Sequence, residues 1–151
     1  MKIAIGADHR GYRTKSRIVD YLRDQGYEVL DYGAMSENSV DYPDVAIAVA
    51  EKVARRGARY GILLCLSGQG MVMTANKVRG IRAAFCVNEE YARFARAHND
   101  ANVLVMPAGF LKFGKKMKGI IETFLKTKFE GGRHLRRVKK IKRYESSTNR
   151  V

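Results

Sequence analysis

Cysteine is scarce in this 151-residue chain: Cys65 and Cys86 are the only two, and both lie in apolar, strand-like segments. That excludes a disulfide framework, and neither has a second Cys or a His at zinc-ligand spacing. Proline occurs only at Pro43 and Pro107, and no Pro/Gly/Ser linker, repeat or low-complexity segment interrupts the chain, so one domain over 1–151 is expected. No window approaches the roughly 18 apolar residues of a membrane helix, and no secretory h-region follows Met1. These absences point to a soluble, cytoplasmic protein without a membrane partner. Acidic residues are few as well, 15 against 29 Lys and Arg, for a net charge of +14.

The positive excess is uneven. Residues 133–151 hold eight bases and one acid, Glu145, which is +7 of the total. From about residue 132 the pattern predicts a basic helix with Leu135, Val138 and Ile141 along one stripe, followed by a tail. Such a helix can face nucleic acid, anionic small molecules or plain solvent. It lacks the aromatic interleaving of a stacking platform, and nucleic acid is not expected as a partner. Hydrophobic content of 46% excludes wholesale disorder.

What is present is an alternation of short apolar runs and helical patterns. Strands are expected at Lys2–Gly6, Tyr27–Tyr32, Tyr60–Cys65, Ile81–Val87 and Asn102–Met106. Helices are expected over Gly11–Gln25, from Pro43 through Val53, from Gly70 to Val78, over Glu89–Ala97 and over Phe110–Leu125, with Gly131-Gly132 breaking the chain before the basic helix. This order gives an α/β fold with a mainly parallel five-stranded sheet. Ligands of such sheets sit beyond the carboxyl ends of the strands. That rule selects Asp8-His9 and the Cys65–Gly70 turn; His98-Asn99 precedes its strand instead.

The sharpest local signal is Cys65-Leu66-Ser67-Gly68-Gln69-Gly70, which leaves a strand and enters a helix. Glycines there let backbone N–H groups converge on an anion, and the same field favours thiolate character at Cys65. A Rossmann fingerprint is absent, since position 73 is Met where a third glycine belongs, and there is no Walker pattern. The plain alternative is a tight turn with an inert, buried cysteine. Asp8 reads as a helix cap or a hydroxyl-binding group, and His98, ending a helix, as a dipole partner or a general acid/base. Arg133 and Arg137, four apart, share a helix face at a spacing suited to a phosphate, or else to solvent.

Together the motifs resemble ribose-5-phosphate isomerase type B and its relatives, the galactose-6-phosphate isomerase subunits. The resemblance runs from Met1 to about Ile141: K-I-A-I-G-A-D-H at 2–9, D-Y-P-D at 41–44, G-I-L-L-C-L-S-G-Q-G at 61–70, A-N-K at 75–77 with G-I-R-A-A at 80–84, H-N-D-A-N at 98–102 and E-G-G-R-H at 130–134. It implies a Rossmann-like three-layer α/β/α sandwich, a homodimer or homotetramer with active sites shared between subunits, a phosphorylated sugar as substrate, no metal and no cofactor. It further implies that Cys65 is the base moving a proton between two sugar carbons, with Ser67 beside the reacting oxygens and His98 opening the furanose ring. Backbone groups of Leu66, Gly68, Gln69 and Gly70 would hold the developing oxyanion. Asp8, Tyr42 and Asn99 would contact the sugar, and His9, Arg133 and Arg137 the phosphate, the arginines coming from a neighbouring subunit.

The chain departs from the family pattern at Leu66, where glycine is usual, at Gln69, where an aliphatic residue is usual, and at Gly109-Phe110, where some members carry an arginine. A left-handed backbone at position 66 would strain a leucine. The reading is an aldose–ketose isomerase interconverting ribose 5-phosphate and ribulose 5-phosphate. Its alternatives are a hexose 6-phosphate or tetrulose phosphate isomerase, or a non-catalytic anion-binding or nucleic-acid-binding protein on the same fold.

Overall fold

The computed structural model describes residues 1–148, and of Thr148 only the backbone; positions 149–151, the end of the expected basic tail, lie outside the described residues. Five strands form one parallel sheet in the order β2-β1-β3-β5-β4: β1 is Lys2–Ala7, β2 Glu28–Asp31, β3 Tyr60–Cys65, β4 Ala83–Phe85 and β5 Val103–Pro107. The central strands β3 and β5 are buried at every position, as apolar runs covered on both faces must be. Alternate residues sort to two cores. Ile3, Ile5, Ile62, Leu64, Leu104 and Met106 pack under α1 (Tyr12–Asp24), α4 (Glu89–Ala97) and α5 (Lys115–Lys126). Ala4, Leu63, Cys65, Val103 and Val105 pack under α2 (Tyr42–Ala54) and α3 (Gln69–Ala75). The result is the expected three-layer sandwich. Helix α6 (Gly132–Thr148) buries His134 and Val138 against it. Among the described residues no helix is long and apolar enough to cross a membrane.

Three element ends differ from expectation. Helix α5 starts at Lys115, because Phe110 and Leu111 turn back to donate to the Pro107 carbonyl at 3.1 and 2.9 Å. Helix α3 stops at Ala75, after which Lys77, Val78 and Ile81 each donate three residues back in successive tight turns. Edge strand β4 is short because the Asn76 amide takes a strand's place on its outer side, accepting from the Ala83 N–H and donating to the Ala83 carbonyl, both at 2.9 Å. Lys15 is a charged core residue: only 1% exposed, its ammonium donates to Asp31 at 2.6 and 2.7 Å and to the Ala34 carbonyl at 2.7 Å.

Candidate active site

The carboxyl ends of β1 and β3 lie side by side, and Asp8 donates its backbone N–H to the Leu64 carbonyl at 3.2 Å. The Asp8 carboxylate caps the Gly11 N–H at 3.0 Å. His9 Nδ1 accepts from the Val40 N–H at 3.3 Å, which pins the ring and leaves Nε2 as its free nitrogen. Tyr42, the first residue of α2, lays its ring against Gly70: a Cβ at position 70 would come within 2.5 Å of that ring. Asp8, His9, Tyr42 and the Cys65 turn therefore occupy one edge of the sheet.

Within the turn, the Gly68 N–H donates to Cys65 Sγ at 3.1 Å, the polarity that suits a sulfur anion. Gly68 needs its glycine, since φ is +79° and a Cβ would meet the Phe85 ring at 2.7 Å. The Gln69 N–H donates to Ser67 Oγ at 3.3 Å, and helix α3 begins there with its first N–H groups lacking intrahelical acceptors. Cys65 itself is only 5% exposed. Cys86, fully buried, has its thiol pushed up to about 12 by desolvation and is a packing residue.

The departures at 66 and 109 interlock. Leu66 does not adopt positive φ; among the described non-glycine residues only Arg56 and Asp100 do. The Leu66 carbonyl accepts from the Gly109 N–H at 2.9 Å and its side chain lies over Gly109, where an added Cβ would sit 2.9 Å from that same carbonyl. With leucine at 66, position 109 has no room for a side chain.

His98 and Asn99 lie elsewhere. They precede β5, whose first residue pairs with Gly61 at the start of β3, whereas Cys65 pairs with Pro107 at the other end. At about 3.3 Å per residue, some 13 Å of strand separates the two ends. Helix α6 starts beside His98: Glu130 donates its N–H to the Ala97 carbonyl at 3.0 Å, and the His98 and His134 rings stack 4.1 Å apart and 7° from parallel. Arg133 and Arg137, both exposed, thus belong with His98 and Asn99 at the amino-terminal edge, away from Cys65, Ser67 and His9. One chain alone does not bring the thirteen expected site residues together.

Glu130 and His134 carry no individual expectation from the sequence, although they bracket E-G-G-R-H at a four-residue spacing. Glu130 Oε2 lies 3.8 Å from His98 Nε2 and 3.6 Å from His134 Nε2. The Phe94 ring also packs against His98, centroids 4.8 Å apart and tilted by 40°. Desolvation, reinforced by His98 and Arg133, holds His134 below the ordinary imidazole value against the opposing pull of Glu130. The three ligand atoms lie within 4.8 Å of one another, close enough for a cation. The rings are parallel, however, so an ion in the plane of one lone pair is out of plane for the other, and the cluster is better built to hold His98 in place.

Comparison with known proteins matches this arrangement to one family. The family profile described as Ribose/Galactose Isomerase covers residues 3–141. The chain is 40% identical over 154 residues to "Ribose-5-phosphate isomerase B" of Escherichia coli (strain K12), covering 98% of this chain and 99% of that one. The structure of ribose-5-phosphate isomerase B from Clostridium thermocellum superposes with a TM-score of 0.95 at 46% identity, covering 98% of this chain and 99% of the other. That of the Mycoplasma genitalium enzyme with bound ribulose-5-phosphate superposes at 0.91 with 42% identity, over 96% of each chain. With a profile match over residues 3–141 and relatives 40–46% identical over nearly their full lengths, this protein belongs to the ribose/galactose isomerase family.

Proposed function

We propose that the chain interconverts ribose 5-phosphate and ribulose 5-phosphate by proton transfer, without a metal. The observation that carries this reading is Cys65, held by the Gly68 N–H at 3.1 Å in a turn whose backbone donors face the same edge. In the forward direction Cys65 takes the C2 proton of the open-chain aldose and returns it to C1, while the hydroxyl proton passes from O2 to O1 near Ser67. The backbone of Leu66, Gly68, Gln69 and Gly70 stabilises the intervening enediolate, a kind of stabilisation worth about 3–4 kcal/mol per donor in other enzymes. Before the first step His98, positioned by Phe94, His134 and Glu130, protonates the ring oxygen as its bond to C1 breaks and the C1 hydroxyl gives its proton to solvent, leaving the aldehyde. Asp8, Tyr42 and Asn99 bind hydroxyls, and His9, Arg133 and Arg137 hold the phosphate.

Because these groups stand at opposite edges of one sheet, the reading requires two copies, the Cys65 edge of one meeting the His98 edge of its partner, in a dimer or tetramer. The two unpaired thiols suit a reducing cytoplasm.

The test is proton exchange in D₂O with ribose 5-phosphate, a tetrulose phosphate and a hexose 6-phosphate, following isomer formation and deuterium at the exchanging carbon. Turnover of the pentose that vanishes in Cys65→Ala is expected, unchanged by a chelator. Preference for another sugar phosphate would reassign the substrate, and exchange with none of them would contradict the isomerase reading. Loss of activity on chelation would contradict the metal-free mechanism.

A further inference from the structure

The amino-terminal edge carries a second basic feature that the isomerase reading does not use. A cavity of about 660 Å³ opens there, with Lys2, Arg56, Arg59, Arg82 and Arg96 in its lining and Asp100 as the acid. A neighbouring cavity of about 380 Å³ shares Val53, Arg56, Arg82 and Asn102 with it and adds Arg79 and Lys142, together with Glu145. Both carboxylates are engaged. Asp100 accepts from Arg82 at 3.1 Å and from Arg96 at 2.8 Å, and Glu145 accepts from the Gly80 N–H at 2.9 Å.

Asp100 pairs with Arg82 and Arg96, and Glu28 with Lys2 at 3.1 Å; an aromatic ring holds two of the arginines as well. Arg59 and Arg96 lie over the Tyr60 ring at 5.5 and 4.9 Å. The Arg96 side chain is 4% exposed, and its Nε is the one buried side-chain polar atom among the described residues with no hydrogen-bond partner. Arg56 follows α2 in the left-handed region, φ 59°, where a helix end ordinarily places glycine. Enclosed as it is, Arg96 Nε is out of a ligand's reach; the charge open to an anion is that of Arg56 and Arg59, both exposed and without a carboxylate partner among the described residues.

We propose that this cavity is a binding site for a small polyphosphate, an anion with two or more linked phosphate groups. Its volume lies in the range of small-molecule sites, about 300–1,000 Å³. Its aromatic ring, Tyr60, is buried under the arginines, so recognition rests on charge and guanidinium donors rather than on stacking with a base. The site is separate from the substrate clamp but touches its support. Arg82 donates to the Asn99 carbonyl at 3.0 Å and to the Asp100 carbonyl at 2.8 Å, so a bound anion shares that guanidinium with the turn carrying His98.

The test is calorimetric titration of the full chain with inorganic tripolyphosphate at 0.15 M salt. It is run in an Arg133→Gln/Arg137→Gln background so that the arginines of the proposed clamp contribute nothing. One equivalent per chain is expected, with orthophosphate at least about tenfold weaker. Adding Arg56→Gly and Arg59→Gln should weaken tripolyphosphate at least about tenfold, the glycine being suited to the φ already present at 56. Thermal unfolding of that variant checks that it is folded. No binding, several weak equivalents, or an affinity unmoved by those substitutions would overturn the proposal. So would tighter binding of a short RNA through the same residues, which would make this an extended nucleic-acid surface.

Discussion

At the scale of single residues, the proposed base and the proposed substrate contacts answer to different measurements. Cys65→Ala removes the proposed base and leaves the proposed clamp, so turnover should fall by at least about 10²-fold while substrate affinity, measured by calorimetry, stays close to wild type. Equal loss of binding would place Cys65 among the contacts instead. Arg137→Ala should raise KM with little change in kcat, because a phosphate contact made alike in ground and transition states contributes uniform binding. An unchanged KM would put Arg137 on a solvated face. The cysteine turn is legible in the sequence because its logic is local: a buried strand ends, two glycines follow, and a helix begins. Lys15 and His134 are not. Nothing within several residues of Lys15 announces that Asp31 and the Ala34 carbonyl will surround its ammonium, and His134 acquires its meaning only when His98 arrives from another helix.

At the scale of elements, the α3 entry and the α6 start carry the testable strain and charge. Gly68→Ala places a Cβ at φ +79° within 2.7 Å of the Phe85 ring, so it should destabilise the protein by at least about 1 kcal/mol in urea unfolding and lower activity with it. An unchanged midpoint would mean the turn tolerates a side chain there. His134, whose folded-state pKa lies below that of the unfolded chain, makes the unfolded state the better proton binder. Its contribution is present above the unfolded value of about 6.5 and is lost as the pH falls through the lower folded-state value. Melting temperatures at pH 7.5 and 5.0 should therefore diverge less in His134→Phe, which keeps a stacking ring, than in wild type; an equal divergence would contradict the assignment. Element order and sheet type follow from hydrophobic period, which is why they are readable in advance. The ends of α3, β4 and α5 are set by the Asn76 side chain and by turns on the Pro107 carbonyl, contacts that periodicity does not register.

At the scale of the whole molecule, the decisive fact is that Cys65 and His98 end up at opposite edges of one sheet. The sequence contains the hint, since His98-Asn99 precedes a strand while Asp8 and Cys65 end theirs, but only the register turns it into a separation. A site assembled from both edges needs a second copy, and homo-oligomers close such contacts by symmetry, so the proposed dimer would hold two equivalent composite sites. The measurement that tests this most directly is complementation between Cys65→Ala, which lacks the proposed base, and Arg133→Ala/Arg137→Ala, whose raised KM leaves little turnover at substrate concentrations far below it; the two are co-expressed in equal amounts, purified together and assayed at such a concentration. Random pairing makes half the dimers mixed, each with one intact site and one doubly impaired, so about a quarter of wild-type isomerase activity is predicted. Activity no greater than that of the separate variants would contradict a shared site and require Cys65 and the arginines to act within one chain.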